Sequence, residues 1–274
     1  MIPQRSRLPR LLLAASALFF GAAYFAVRFP ETPGAGIGSF VSTLLIALPS
    51  FVALWRYLGP RGATLSLLSL STLGYAIETT GVATSFPYGP FYYGDFLGPK
   101  VAGLVPYLLP LSWVPLVLGA VAATAPEGKA VPRRRRVLWI LSAAILLTLV
   151  DGVLDPGAAS LGFWVWPEGG SYYGVPVSNY LGWLFSSSLA AAVLLTLGRR
   201  RWESVQPPPG LLDSALVAIA FWVGVALFSG LLFPAVLGIA LFFYLLHRRA
   251  RLASAKPTFA APGEARYKGG EDGE

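Results

Sequence analysis

A run of about 20 apolar residues is long enough to cross the hydrocarbon core of a bilayer, and such runs follow one another along most of this 274-residue chain. Only 12% of the residues are charged and 55% are apolar, where a soluble domain carries roughly 25% charge. Inside lipid every backbone N–H and C=O must be satisfied within the protein, so segments of this length must be helices. The predicted fold class is an all-α polytopic membrane protein with about eight transmembrane helices and two long aromatic outer loops. The spans are read at about 11–29, 37–58, 62–81, 101–125, 136–153, 180–198, 211–229 and 231–247. Pro49, Pro106, Pro110, Pro115 and Pro234 fall inside them and are expected to kink or break the helices. Residues 1–251 then form one transmembrane domain, and 252–274, rich in Gly, Ala, Pro and charge, form a disordered cytoplasmic tail.

The basic residues support this count. Lys and Arg concentrate in cytoplasmic loops. With the N-terminus inside, Arg5, Arg7, Arg10, Arg56, Arg61, Lys129, Arg133 to Arg136, Arg199 to Arg201, Arg248, Arg249, Arg251, Lys256, Arg266 and Lys268 all fall on the cytoplasmic side. Of 21 basic residues only Arg28 and Lys100 fall outside. The expected setting is a bacterial plasma membrane, crossed several times, with both termini cytoplasmic. The stretch from Arg10 to about Ala23 has signal-peptide features, but its apolar run continues to Phe29, which favours a retained helix. The last two spans leave only Ser229–Gly230 for a very tight hairpin, and Pro207–Pro209 stiffens a cytoplasmic loop.

Composition narrows the chemistry. The net charge of +8 is used up by topology signals, so nucleic acid is not an expected partner. With no Cys there is no thiolate catalysis or disulfide, and one His, His247, cannot build a His-cluster metal site. No metal and no cofactor are expected. Carboxylates, hydroxyls, amides, aromatics and backbone remain.

The unusual residues gather at the predicted outer face. Residues 81–100 and 152–179 form two loops crowded with aromatics, Gly and Pro. Glu78 and Asp151 sit near the outer ends of the third and fifth spans, and Asp95, Asp155 and Glu168 lie in the loops. Ionisable groups at membrane depth are functional candidates. Each of Glu78 and Asp151 is followed by a Tyr-Tyr-Gly, at Tyr92 to Gly94 and Tyr172 to Gly174, which reads as a degenerate repeat about a pseudo-twofold axis.

These residues also carry a resemblance. Glu78-Thr79-Thr80-Gly81, Phe86-Pro87-Tyr88-Gly89, Tyr92-Tyr93, Leu97-Gly98-Pro99, Val105-Pro106 and Pro110-Leu111-Ser112-Trp113 form one ordered set. Asp151, Asp155-Pro156, Trp164, Trp166, Tyr173-Gly174-Val175-Pro176 and Asn179 to Trp183 form a second. Together, over about residues 74–185, they resemble the carotenoid 1',2'-hydratase family, membrane enzymes acting on acyclic carotenoid ends. Thr84-Ser85 stands where that pattern has Thr-Gly, and Tyr88 where it has Phe. The resemblance implies hydration of a terminal 1',2' double bond. A proton goes to the less substituted carbon, and water captures the tertiary cation. A carboxyl group in apolar surroundings tends to hold its proton, a role that falls to Glu78 or Asp151. The other carboxylate, or Asp155, orients the water as general base. Tyr92, Tyr93, Trp164, Trp166, Tyr173 and Trp183 line the substrate, their faces stabilising the cation by roughly 0.5–2 kcal/mol each, and Asn179 positions the water. Expected partners are the membrane, a carotenoid drawn from the lipid phase and other carotenoid enzymes.

Plainer readings remain open. Glu78 and Asp151 also suit helix ends within reach of interfacial water, Asp155-Pro156 suits a turn, and the aromatics suit an interfacial belt. Asp95 and Glu168 read as solvated acids, Asp213 as a helix cap and His247 as a boundary residue. Asp151 and Asp155 form a DxxxD pair, but a prenyltransferase needs a second Asp-rich motif. A membrane carotenoid cyclase shares the protonation step and excludes water. A transporter would spread polar groups through the membrane's depth, whereas these acids sit at one end.

Overall fold

The computed structural model describes residues 10–30, 32, 35–126 and 131–254. Arg5, Arg7, Lys129, Lys256, Arg266, Lys268 and nearly all of the 252–274 tail lie outside the described residues. The elements run α1 (Arg10–Arg28), α2 (Ala35–Thr84), β1 (Tyr92–Tyr93), β2 (Lys100–Val101), β3 (Val105–Pro106), α3 (Leu109–Ala123), α4 (Arg133–Ser160), β4 (Trp164–Val165), α5 (Val177–Leu197), α6 (Arg199–Ser204), α7 (Asp213–Phe228) and α8 (Leu232–Ser254). Among the described residues six helical segments are long and apolar enough to cross a membrane: α1, Gly36–Thr84, α4, α5, Pro209–Phe228 and α8. The chain is an all-α membrane protein.

Fifty residues of α2 would measure about 75 Å as one straight helix, more than twice a bilayer's core. The run is interrupted at Gly59, whose φ of 72° and ψ of 171° suit a residue without Cβ. Pro60 follows, where a missing N–H costs nothing at the first turn of the second arm. The break therefore falls at Gly59, and Pro49 sits within a continuous arm.

Side chains outside the bundle are those of a protein solvated by hydrocarbon. Leu11, Leu18 and Phe25 on α1, Ile37, Leu65 and Leu68 on α2, and Leu232, Phe233 and Phe243 on α8 are all exposed. The buried centre lies along α3, α4 and α7, with α1 packed on α7 and α8 packed on α7 and α4. Small residues let these helices approach. A Cβ on Gly224 would stand 2.7 Å from Ala23 Cβ and from the Phe20 carbonyl oxygen, and one on Gly119 would stand 2.7 Å from Ala215 Cβ.

Polar contacts tie one set of helix ends together. Tyr57 donates to the Val205 carbonyl at 2.6 Å, and the Arg201 guanidinium lies over its ring. Arg136 donates to Thr196 at 2.8 Å, and Arg248 donates to the Ala123 carbonyl at 2.6 Å. Arg249 forks onto Asp213 at 2.6 and 3.3 Å. Asp213 is thus an ion-pair partner in the first turn of α7, with no side-chain capping bond. The ends that carry Arg56, Arg136, Arg199 to Arg201, Arg248 and Arg249 consequently meet at one end of the bundle.

The other end departs from the sequence reading in two places. The segment read as the start of a span at 101–125 instead forms the β2–β3 hairpin, with Lys100 opposite Pro106 and Val101 opposite Val105, and α3 begins only at Leu109. Pro106 is in a strand, not a kinked helix. The span read at 136–153 continues as α4 to Ser160, straight through Asp155 and Pro156. The long second loop is therefore shorter than 152–179. The hairpin between α7 and α8 turns where expected, at Gly230 with φ 74°, and the Leu231 N–H returns to the Ala226 carbonyl at 2.8 Å.

Candidate active site

The extension of α4 decides the geometry of the acids. Asp151 and Asp155 are four residues apart on one helix, hence on the same face, and both are almost fully buried. Asn179, in the first turn of α5, donates from Nδ2 to Asp151 Oδ2 at 3.1 Å and closely to Asp155 Oδ2. Trp164 Nε1 on β4 donates to Asp155 Oδ1 at 3.1 Å. The same Asn179 amide thus bridges the two carboxyl groups. Asp151 Oδ1 receives no donor.

Glu78 enters from the second arm of α2, also buried. Tyr93 on β1 donates to its Oε2 at 2.7 Å, and the Tyr88 hydroxyl lies beside the same carboxyl group. Glu78 is close enough to act electrostatically on both Asp151 and Asp155. Burial and the neighbouring Glu78 push the phenols of Tyr93 and Tyr88 well above their usual range, so both stay protonated.

Two loops distant in sequence converge here because of a short ladder. β1 pairs antiparallel with β4, setting Tyr92 opposite Val165 and Tyr93 opposite Trp164. Beside it, Gly94 N–H donates to the Phe163 carbonyl at 2.8 Å. A Cβ on Gly94 would stand 2.1 Å from the Gly162 carbonyl oxygen, so only glycine permits this approach. Tyr88 is clasped between two helices in the same way. A Cβ on Gly81 would come within 2.9 Å of one edge of its ring, and a Cβ on Gly182 within 2.5 Å of the other.

Around the acids lies an aromatic shell. Tyr88, Phe91, Tyr93 and Trp166 are buried together, with Trp164 and Trp183 packed against them. Phe91 meets Tyr88 and Tyr93 edge-on at 5.8 and 5.5 Å, and Trp164 meets Tyr93 at 6.0 Å. Of the residues singled out from sequence, Glu78, Asp151, Asp155, Tyr93, Trp164, Trp166, Asn179 and Trp183 come together. Tyr92 and Tyr173 do not: they are 51% and 43% exposed. Tyr92 is on the outward face of a strand whose inward residue is Tyr93. Tyr173 has φ 51°, and its hydroxyl reaches the backbone of Phe233. The two Tyr-Tyr-Gly segments are thus not equivalent, one forming a strand and the other a turn closed by the Tyr172–Val175 bridge. Asp95 pairs with Lys100 at 3.0 Å, and Glu168 is exposed.

Sequence reasoning did not single out Tyr88 as a site residue, nor Phe91 or Tyr180. Tyr88 was visible only as a departure from the resembled pattern, and the departure supplies the hydroxyl beside Glu78.

Residues 37–245 match the family described as Carotenoid biosynthesis protein. The chain belongs to that family. A bisanhydrobacterioruberin hydratase from Haloarcula japonica is 39% identical over 194 residues, an alignment covering 68% of this chain and 63% of the relative. The chain therefore spans slightly less than two thirds of that relative's length. No solved structure matches it.

Proposed function

We propose that this carotenoid biosynthesis protein is a hydratase that adds water across the terminal 1',2' double bond of an acyclic carotenoid end group, without a cofactor. The observation that carries this reading is the placement of three buried acids, Glu78, Asp151 and Asp155, under an aromatic shell. The resemblance of the two loop motifs and the hydratase named among its relatives support it. Glu78 delivers the proton. Its two phenol partners then hold the carboxylate left behind, a charge that an apolar site could not otherwise accommodate. The cation that forms faces Tyr93, Trp164, Trp166 and Trp183, whose ring faces stabilise positive charge. The Asp151–Asp155 pair accepts a proton from water as the C–O bond forms, so one alkene and one water become one tertiary alcohol. Asn179 holds that pair in register.

We further propose eight crossings, each arm of α2 and the 15-residue α3 counting as one, within a single transmembrane domain. The basic helix ends and both termini face the cytoplasm, and the acids lie near the opposite face of the plasma membrane. Substrate comes laterally from lipid, and other carotenoid enzymes are the expected partners.

The test is product analysis in cells that make lycopene or gamma-carotene. Mass spectrometry of extracted pigments should show a gain of one water, reduced at least 100-fold by Glu78→Gln and by Asp151→Asn at equal protein level. A cyclised product of unchanged mass would make the chain a cyclase. No product, with protein and substrate both verified, would leave transport as the reading to pursue.

A further inference from the structure

Among the described residues, three buried polar atoms of this region are unpartnered: Asp151 Oδ1, the Tyr180 hydroxyl and Trp166 Nε1. Asp151 Oδ1 accepts from no donor, and the Tyr180 hydroxyl has no hydrogen-bond partner. Tyr180 follows Asn179, whose amide bridges Asp151 and Asp155. Its ring lies edge-on to Tyr172 at 5.8 Å, and the Tyr172 hydroxyl is fixed to the carbonyl of Gly152, the residue after Asp151. Through Tyr172 the ring of Tyr180 is thus held near the Asp151 turn of α4, and it interacts electrostatically with both acids. A buried hydroxyl or carboxyl oxygen left without a partner costs about 1–3 kcal/mol. An unmatched donor and an unmatched acceptor near enough to interact electrostatically can both be satisfied by one bound water.

We infer that Tyr180 and Asp151 hold the nucleophilic water, the Tyr180 hydroxyl donating to its oxygen and Asp151 Oδ1 accepting one of its protons. This rests on the hydration reading and deepens it by assigning the two halves of the reaction to different groups, Glu78 on α2 and Asp151 with Tyr180 on α4 and α5. The alkene π pair takes the proton of Glu78 and forms the C–H bond. A lone pair of the held water forms the C–O bond, its O–H bond breaks, and that proton passes to Asp151. Turnover closes when a proton returns to Glu78. Tyr180 touches the reacting water and is unnecessary for the first proton transfer.

The two steps separate in D₂O. Membranes bearing the full chain are incubated with lycopene in D₂O buffer, and hydrated product and deuterium in the recovered substrate are both measured. Tyr180→Phe should lower hydrated product at least 30-fold while recovered lycopene still gains deuterium, because a cation that meets no held water loses a proton and returns to alkene. Glu78→Gln should abolish both signals. Tyr180→Phe hydrating within threefold of wild type would overturn the inference, as would loss of hydration and deuterium together. If Tyr180→Phe fails to accumulate, Asp151→Asn carries the test by the same criteria. A wild-type chain giving neither signal would overturn the hydration reading itself, a distinct result.

Discussion

An alanine at Gly182 would set its Cβ 2.5 Å from Tyr88 Cδ1 and 2.9 Å from the Pro87 carbonyl oxygen. The ring has little room to retreat, because its opposite edge is against Gly81. The ring must tilt, and its hydroxyl leaves Glu78. Gly182→Ala should therefore lower hydrated product at least tenfold in the pigment assay. The control is Gly21→Ala on the lipid-facing side of α1, where a Cβ meets nothing within 4 Å. There the change should leave product unaltered and shift thermal stability in detergent by less than about 1 kcal/mol. At this scale the sequence revealed which residue types matter and not which way they face. Glu78 and Asp151 were legible as ionisable groups at membrane depth, while Asp155 and Asn179 stood out only in the resembled pattern. Tyr92 and Tyr93 were indistinguishable in sequence, since strand alternation turns one inward and the other outward. Tyr180 was visible only inside the Asn179 to Trp183 motif, because a tyrosine in an apolar helix reads as packing until its hydroxyl is seen to lack a partner.

At the level of elements, helix ends were the least legible feature. An Asp-Pro dipeptide ordinarily suggests a turn, yet α4 runs through Asp155-Pro156 to Ser160. Packing of α4 against α5 and α8 outweighs the local preference. That continuation turns two separate acids into a pair bridged by one amide, that of Asn179. The opposite error occurred at 101–108, where apolar composition suggested a helix and the chain forms a hairpin instead. The pairing of β1 with β4 was not readable, since two-residue strands carry no periodicity. Its consequence is testable at Gly94. A Cβ there would lie 2.1 Å from the Gly162 carbonyl oxygen, so Gly94→Val must separate the strands. Tyr93 and Trp164 then lose their positions on Glu78 and Asp155. Hydrated product should fall at least tenfold, while far-ultraviolet circular dichroism stays that of the wild type, because the ladder contributes no helix. A collapse of helical signal would instead mean that the ladder is needed to assemble the bundle.

For the whole molecule, the charge pattern and the apolar runs made the fold class legible, and the contacts explain why the pattern is so regular. Arginines from several loops meet at one end of the bundle, where they bond helix-end carbonyls, as Arg248 does, or acids, as Arg249 does. The carboxyl cluster lies toward the other end, where Tyr93, Trp164 and Asn179 rather than these cations are its partners. Under the proposed hydration, orientation across the membrane decides which compartment supplies the water. The chain has no Cys, so single cysteines report topology without background. Cysteines replacing Asp95 and Glu168 should react with a membrane-impermeant maleimide in intact cells. Those replacing Arg61, Arg134 and Arg200 should react only after permeabilisation. Residue 61 is the decisive position. If the two arms of α2 each cross, it must label with 134 and 200 and opposite to 95. Labelling of residue 61 together with 95 would mean that the second arm does not cross, and Glu78 would then approach the acids of α4 from an interfacial helix. Uniform inversion of all five would keep the bundle and the site but draw the water from the cytoplasm.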